Sequence, residues 1–261
     1  MNSWAEVARG MPLSVLPHLD RSILSPRLPP IVNITHDEYI KQEKKRLAFP
    51  PSLNGKVMHK SFCFYKNTLC RLRLLAMEVK DISTTPTNFE LISALLWINW
   101  TKAFKIKPEA TTRILTAVDG RPKSKPPLPN CYFGNGIAWS CAHSKAGELA
   151  QKPFSFAVKF VHDATKAVTE DYIKSAIDHY EVARQQLEFQ DTFWISKWSR
   201  LPFNEIKFGW GDPQEVAPAS LVDNLVVCVS QGKDIENIVV SLSLPSVVME
   251  RFEGFMKEEL E

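Results

Sequence analysis

The spacing of apolar residues predicts a buried helix near the middle of the chain. In residues 88–100 apolar side chains surround the predicted helix on nearly every side, and Thr87 is spaced from Glu90 as in a capping box. A helix that is apolar all round has to be covered on all sides. We therefore expect this helix to lie between layers of a core.

The same periodicities predict further strands and helices on both sides of this helix. Short strands are predicted at 61–65, 113–119, 192–198, 225–229 and 237–243. Helices are predicted to begin at Asn67 or Thr68, near Ser144 and at Ser246, and to cover 153–166 and 169–188. Strands and helices alternate without a regular βαβ rhythm, which favours an α+β or a mixed-sheet α/β domain.

The beginning of the chain has a different character. Residues 4–9 form one short amphipathic turn that Asn2 or Ser3 could cap. Residues 11–60 contain seven prolines, a density that prevents long helices and predicts an extended connector.

Composition and charge exclude several classes of function. The chain has 32 basic and 29 acidic residues, and a net charge of +3 does not argue for nucleic acid or an anionic membrane as partner. The densest basic run, residues 41–46, is interpreted as a solvated surface. The most apolar stretch, 89–104, is too short to cross a bilayer, so no membrane span is predicted.

The five cysteines form no CxxC pair, and no basic-then-apolar leader begins the chain. These features favour reduced thiols and the cytosol over a secreted disulfide framework. No residue pattern points to a metal site.

Two aromatic segments lie close together in the sequence, residues 194–202 and the run Lys207-Phe208-Gly209-Trp210-Gly211. They resemble the C-terminal signature of the plant acyl-CoA-dependent acyltransferases known as the BAHD family. That family writes the second run as DFGWG, so that Lys207 stands in place of an acid. Further blocks that look like those of the family occur in the family order, at 19–22, 88–94, 101–103, 118–121 and 132–136. The resemblance covers essentially the whole chain. Within the family, 172–182 and 198–201 are similar to hydroxycinnamoyl transferases that acylate ω-hydroxy fatty acids and fatty alcohols.

The resemblance implies a chloramphenicol-acetyltransferase-like fold, with acyl-CoA as co-substrate, a hydroxylated acceptor and a monomeric enzyme. Residues 1–60 would be the tail of an N-terminal domain and a crossover, and residues 61–261 the C-terminal domain. The catalytic HxxxD motif of the family has no match, because no aspartate lies four places after any of the six histidines. By resemblance the missing histidine is the general base, and the chain begins just past it.

A chain without that base is expected to have negligible transferase activity alone. The alternative is a non-catalytic product, either a truncated copy or a pseudoenzyme that binds a partner. A hydrolase with its own nucleophile is disfavoured, since no GxSxG motif occurs.

The resemblance also implies roles for individual residues. Ser196 and Trp198 lie at family positions that line the reacting centre, where a hydroxyl and an indole N–H suit a developing oxyanion. The alternative is a strand whose Trp194, Ser196 and Trp198 share one face, with the tryptophans packed in the core. Candidate contacts to CoA are Ser83, Thr84, Thr87 and Arg121, for which helix capping and a surface ion pair are the alternatives.

The Lys207–Gly211 run is interpreted as structural. Gly209 and Gly211 are expected to satisfy a tight turn beside Trp210. In the family the aspartate of this motif is thought to be held by an arginine, so Lys207 turns an attraction into a repulsion. Replacing Lys207 by aspartate is therefore expected to raise the melting temperature when the complete first domain is present.

Overall fold

The computed structural model describes residues 1–39, 56–78, 84–185, 187, 192–214, 216–221, 225–231 and 234–260. The basic run at 41–46 lies outside them. The helices are α1 (Asn2–Ala8), α2 (Lys66–Met77), α3 (Asn88–Ala103), α4 (Ala146–Gln151), α5 (Phe154–Ala167), α6 (Glu170–Ala183) and α7 (Ser246–Leu260). The strands are β1 (Val57–Phe64), β2 (Thr111–Asp119), β3 (Ile137–Lys145), β4 (Phe193–Lys197), β5 (Leu225–Gln231) and β6 (Asp234–Pro245).

The six strands form one mixed sheet in the order β1-β6-β5-β4-β2-β3. Strand β4 lies in the interior of the sheet and runs parallel to both of its neighbours, β2 and β5. The other three pairings are antiparallel. This arrangement confirms the mixed-sheet α/β prediction.

Helix α3 is the centre of the core, as its apolar surface predicts. It contacts α2, α4, α5 and α7 as well as β2 and β4. Fourteen of its sixteen residues are buried. Two of its polar side chains share a partner inside the core, because the Trp97 indole N–H donates to the Thr112 hydroxyl at 3.1 Å and Thr101 bonds the same hydroxyl at 3.0 Å. The capping box is confirmed, with Thr87 accepting from the Glu90 N–H and Glu90 from the Thr87 N–H.

The buried carboxylate of Asp178 bonds the extended connector to α6. Asp178 accepts hydrogen bonds from the backbone N–H groups of Arg27 and Ile31, both at 2.8 Å, and from the Arg27 guanidinium at 2.6 Å. Burial alone would raise the pKa of Asp178, but these N–H donors and the guanidinium hold that pKa below its ordinary value of 3.8. A second buried contact joins His36 to Ser175 on the same helix at 2.8 Å.

The largest error of the sequence prediction is a missed strand. A helix was expected near Ser144, but β3 runs through that position and helix α4 begins only at Ala146. The buried positions of β3 are Ala138, Ser140, Ala142 and Ser144, which alternate with larger and more exposed residues. Because the buried residues are small, the alternation carries little hydrophobic signal.

The helix predicted at 169–188 is also shorter than expected. It ends at Ala183, where Arg184 takes the left-handed conformation with φ 52° and its N–H bonds the Tyr180 carbonyl. Such an ending usually requires glycine or asparagine, so the sequence gives no sign of it. Among the described helices, none is both long and apolar enough to cross a membrane.

Replacing Asp178 by asparagine should destabilise the protein by about 3 kcal/mol. The amide NH2 would face N–H donors that now bond a carboxylate oxygen. Asp163→Asn is the matched control, because the exposed pair with Lys159 on α5 should contribute less than about 0.5 kcal/mol. Urea unfolding of both variants measures the difference.

The same carboxylate predicts a pH dependence. Since the pKa of Asp178 is lowered in the folded state, its stabilisation is present at neutral pH and is lost as pH falls below 3.8 through the folded pKa. The gap in unfolding free energy between parent and Asp178→Asn should therefore shrink on acidification. A gap independent of pH would contradict this assignment.

Candidate active site

The predicted oxyanion residues lie at the end of the central parallel strand. Ser196 belongs to β4, and Trp198 follows directly, its backbone N–H bonded to the Cys228 carbonyl on β5 at 2.8 Å. The Trp198 indole N–H donates to the Ser196 hydroxyl oxygen at 3.1 Å. Because the indole N–H donates to the hydroxyl oxygen, the hydroxyl proton of Ser196 stays available for a hydrogen bond to a third group.

The alternative interpretation of this strand holds for one tryptophan. Trp194 is fully buried and packs edge-on against Trp139, with ring centroids 4.7 Å apart. Trp198 is only half-buried and packs against Phe203 at 5.9 Å. Trp194 is therefore a core residue, whereas Trp198 is partly exposed and lines neither of the cavities described below.

An open cavity of about 1120 Å³ lies beside this strand end. We call it the basic cavity, because four cationic side chains line it against two acidic ones. The cations are Arg73, Lys197, Arg200 and Lys207, and the acids are Glu205 and Asp212. Among the described residues, neither Arg200 nor Lys207 has a salt-bridge partner. The cavity therefore suits an anionic ligand.

Lys197 shows the electrostatic cost of this arrangement. Burial and, next, the nearby Arg200 lower the pKa of Lys197. Its ammonium lies 5.5 Å from the centroid of the Phe89 ring, a cation–π contact that offsets part of the cost. Neither Lys197 nor Arg73 was recognised in the sequence as a site residue, since only the folded chain brings α2, α3 and β4 together.

The threonines predicted to contact CoA lie at the start of α3. Thr87 lines the basic cavity, and its hydroxyl caps the helix by accepting from the Glu90 N–H at 3.3 Å. Glu90 in turn bonds His162 of α5 at 2.9 Å. Thr84 is exposed with its hydroxyl 3.4 Å from His162 Nε2. Ser83 lies outside the described residues.

Arg121 is held away from the residues that line the basic cavity. Its guanidinium bonds Asp119 at 3.0 Å and the Gly134 carbonyl at 3.1 Å. A Cβ at Gly136 would come within 2.8 Å of the Arg121 side chain, so the glycine allows the guanidinium stem to pack closely against this turn. The surface ion pair is thus present, and CoA binding by Arg121 stays a prediction.

The Lys207–Gly211 run forms the tight turn expected for it. Gly209 and Gly211 have φ of +99° and +118°, a region that other residues rarely adopt. Phe208 contacts Trp4 of α1 edge-on at 5.4 Å and stacks with Trp210 at 5.9 Å. Trp210 is 88 % exposed and Trp4 65 % exposed, so this aromatic row faces outward.

None of the described histidines lines the basic cavity. His36, His59 and His162 are bonded to Ser175, Ser243 and Glu90, respectively. His143 pairs with Asp37, and His179 stacks on Tyr39 at 5.0 Å. Within the described part of the chain no group of acidic, histidine or cysteine side chains is arranged to hold a metal ion.

The mixed sheet and its surrounding helices have the chloramphenicol-acetyltransferase-like fold. Solved structures with the same fold include TRI101 of F. graminearum in complex with coenzyme A and T-2 mycotoxin, at a TM-score of 0.76 and 18 % identity, over 97 % of this chain and 60 % of that one. Vinorine synthase matches with a TM-score of 0.68 and 22 % identity, over 96 % of this chain and 55 % of its own.

A family model described as the Transferase family matches residues 1–259, and the chain belongs to this family, the BAHD acyltransferases. Omega-hydroxypalmitate O-feruloyl transferase of Arabidopsis thaliana is 40 % identical over 97 % of this chain and 56 % of that protein. Fatty alcohol:caffeoyl-CoA acyltransferase of the same plant is 37 % identical over 98 % of this chain and 59 % of that protein. The chain thus spans little more than half the length of these relatives.

Lys207→Asp should raise the melting temperature of this chain by about 1–3 °C, because it replaces one of the four cations that line the basic cavity by an anion. Lys207→Gln should give a smaller rise. Lys107→Asp, at an exposed lysine outside the basic cavity, is the control and should change nothing. Differential scanning calorimetry in low salt measures the shift, and an unchanged or lowered melting temperature for Lys207→Asp would contradict the repulsion.

Proposed function

We propose that this chain provides the C-terminal half of an acyl-CoA-dependent O-acyltransferase. The reaction would transfer a hydroxycinnamoyl group from CoA to the hydroxyl of a long-chain fatty acid or alcohol. The observation that carries the proposal is the Trp198–Ser196 hydrogen bond at the strand end whose neighbouring residues, Lys197 and Ser199, line the basic cavity. The activities for which the two Arabidopsis relatives are named support the choice of donor and acceptor.

The chemistry assigns a role to each member of the pair. The acceptor oxygen attacks the thioester carbonyl carbon while a base takes the hydroxyl proton, and negative charge develops on the carbonyl oxygen. Ser196 donates a hydrogen bond through its hydroxyl group to that oxygen. Trp198 donates to Ser196, which makes the hydroxyl a stronger donor. Collapse of the tetrahedral intermediate breaks the C–S bond, and the CoA thiolate recovers the proton from the base.

The basic cavity would hold the phosphates of CoA. Arg200 and Lys207 are cations without a described ionic partner, and Thr87 presents the beginning of α3, where free N–H groups and the helix dipole favour an anion. A phosphate there would also offset the repulsion by Arg200 that, after burial, lowers the pKa of Lys197.

A second open cavity, of about 490 Å³, is suited to the apolar part of a substrate. Leu201 and Pro202 line both it and the basic cavity, so the two spaces adjoin. Val15, Phe133 and Phe203 are among its apolar walls. In the proposed enzyme, this space would accept the aromatic acyl group or the start of the acceptor chain.

The general base would come from residues outside this chain. None of the six histidines has the HxxxD spacing, and none of the described ones lines the basic cavity. The chain alone is therefore expected to bind CoA without turning it over. The second candidate function is a non-catalytic binding protein, which the outward-facing row of Trp4, Phe208 and Trp210 favours, since it offers an aromatic surface to a partner.

The test combines binding with turnover. Calorimetry should show that CoA binds the purified chain, and that Arg200→Gln weakens binding about tenfold whereas Lys107→Gln does not. Pantetheine, which lacks the nucleotide phosphates, should bind equally to all three proteins. Equal affinities for CoA in parent and Arg200→Gln would mean that the phosphates of CoA do not bind in the basic cavity.

Turnover is tested in a chimera that joins this chain to the portion of omega-hydroxypalmitate O-feruloyl transferase that it does not match. With feruloyl-CoA and an ω-hydroxy fatty acid, mass spectrometry should detect the ester from the chimera and none from the chain alone. A folded, CoA-binding chimera without product would favour the non-catalytic alternative.

In the same chimera, Ser196→Ala should lower kcat by about 10²–10³ and Trp198→Phe by about tenfold, because Ser196 makes the final contact and Trp198 acts through it. Phenylalanine keeps an aromatic ring against Phe203. The double variant should be no slower than Ser196→Ala, since the indole has no effect without the hydroxyl. Multiplicative losses would instead mean that the two donors reach the oxyanion independently.

A further inference from the structure

The basic cavity contains a primary amine to which the transfer reaction gives no chemical role. Lys197 is partly buried at the end of β4 and lines this cavity of about 1120 Å³. Its ammonium lies 5.5 Å from the centroid of the Phe89 ring, and no carboxylate among the described residues forms an ion pair with it. Ser196 precedes it on the strand, where successive side chains point to opposite faces of the sheet. Lys197 is therefore free to meet a ligand in the cavity.

The surroundings of Lys197 favour the neutral form of this amine. Burial and, next, the Arg200 guanidinium lower its pKa, and the opposing attractions of Cys228 and Glu90 are smaller. At neutral pH a larger share of Lys197 is therefore unprotonated than of a lysine in free solution. An unprotonated lysine has a free electron pair, which makes it a nucleophile toward the carbon of a carbonyl group.

The same cavity attracts anions even when Lys197 is neutral. Its other charged side chains are those of Arg73, Arg200, Lys207, Glu205 and Asp212. Cations thus still outnumber carboxylates, and Thr87 adds the beginning of α3, where the helix dipole favours negative charge. A phosphate bound by these groups would lie in the same open space as the Lys197 nitrogen.

The separation between phosphate and carbonyl decides which compounds would react with this amine. In an acyl-CoA the pantetheine arm separates the phosphates from the thioester, so phosphates held in the basic cavity would not bring that thioester to Lys197. A small phosphorylated aldehyde carries both groups in one compact molecule. The volume of the basic cavity is sufficient for such a molecule.

We propose that Lys197 forms an imine with a small phosphorylated aldehyde, whose phosphate is bound by Arg200 and Lys207. The neutral Nζ attacks the carbonyl carbon and a C–N bond forms. The aldehyde oxygen then leaves as water with the two hydrogens of the amine, and a C=N bond replaces the C=O bond. No oxidant, reductant or further reactant is needed. The proposal goes beyond the transfer reaction and does not require CoA to bind, which calorimetry with CoA tests separately.

The probe is pyridoxal 5′-phosphate, and pyridoxal is the matched control without the phosphate. The full chain is incubated with either aldehyde at neutral pH, the imine is reduced with borohydride, and the modified lysines are identified by peptide mass spectrometry. With the phosphorylated probe, labelling of Lys197 should saturate and exceed that of Lys107 and Lys207 at least about tenfold. Both of these lysines are exposed, and Lys207 lines the same cavity.

The ratio of Lys197 to Lys107 labelling corrects for the different reactivities of the two aldehydes. This ratio should be about tenfold lower with pyridoxal, because the charge-assisted bonds to the phosphate are lost. Labelling of Lys197 that does not exceed that of Lys107, or an equal ratio for the two aldehydes, overturns the proposal.

Two variants and a pH profile distinguish this site from general lysine reactivity. Arg200→Gln removes a phosphate partner and a cation that lowers the pKa of Lys197, so labelling of Lys197 should fall about tenfold. Lys107→Gln should leave it unchanged. Arg200 and Lys107 are both exposed, so both variants should fold, which circular dichroism checks.

The pH at which labelling of Lys197 reaches half its maximum should lie below that of free Nα-acetyllysine, because the pKa of Lys197 is lowered. A half-maximal pH equal to or above that of Nα-acetyllysine, or undiminished labelling of Lys197 in a folded Arg200→Gln variant, would refute the assignment.

Discussion

The structure depends on the requirement that α3 be covered on every side. An apolar helix with fourteen buried residues cannot lie on a surface, so the sheet packs on one side of it and other helices pack around the rest. The same helix sets the site. Its capping box fixes where Thr87 and Phe89 emerge, and these two residues line the basic cavity, with the Phe89 ring beneath the Lys197 ammonium. The packing that covers α3 therefore also fixes the position of two residues that line the basic cavity.

The elements that the sequence predicted well are those with a strong periodic or capping signal. The apolar helix and its Thr87–Glu90 box are an example, as are the central strand at 193–197 and the helix after Pro245. Strand β3 was missed because alanine and serine fill its buried face. The early end of α6 was missed because the left-handed residue there is an arginine.

The candidate site was predictable only in part. Ser196 and Trp198 could be named from the resemblance to the family, but their hydrogen bond to each other is seen only in the folded chain. Arg73 carried no signal, since it is one of several basic residues on α2, and it reaches the cavity because its side chain bonds Asn88 at the start of α3. The boundary at residue 60 stays a prediction, although the bonds of Arg27 and Ile31 to Asp178 tie the connector to α6.

Lys207 links the turn to the electrostatics of the cavity. Gly209 and Gly211 bend the chain so that Phe208 contacts Trp4 of α1, while Lys207 lies on the lining of the basic cavity. An acid at this position would neutralise one of the other cations. Burial and, next, Arg200 already lower the pKa of Lys197, and a lysine at position 207 adds another cation to the same cavity lining. Such a cluster of cations is typical of a surface that binds an anion, which supports the proposal that the phosphates bind there.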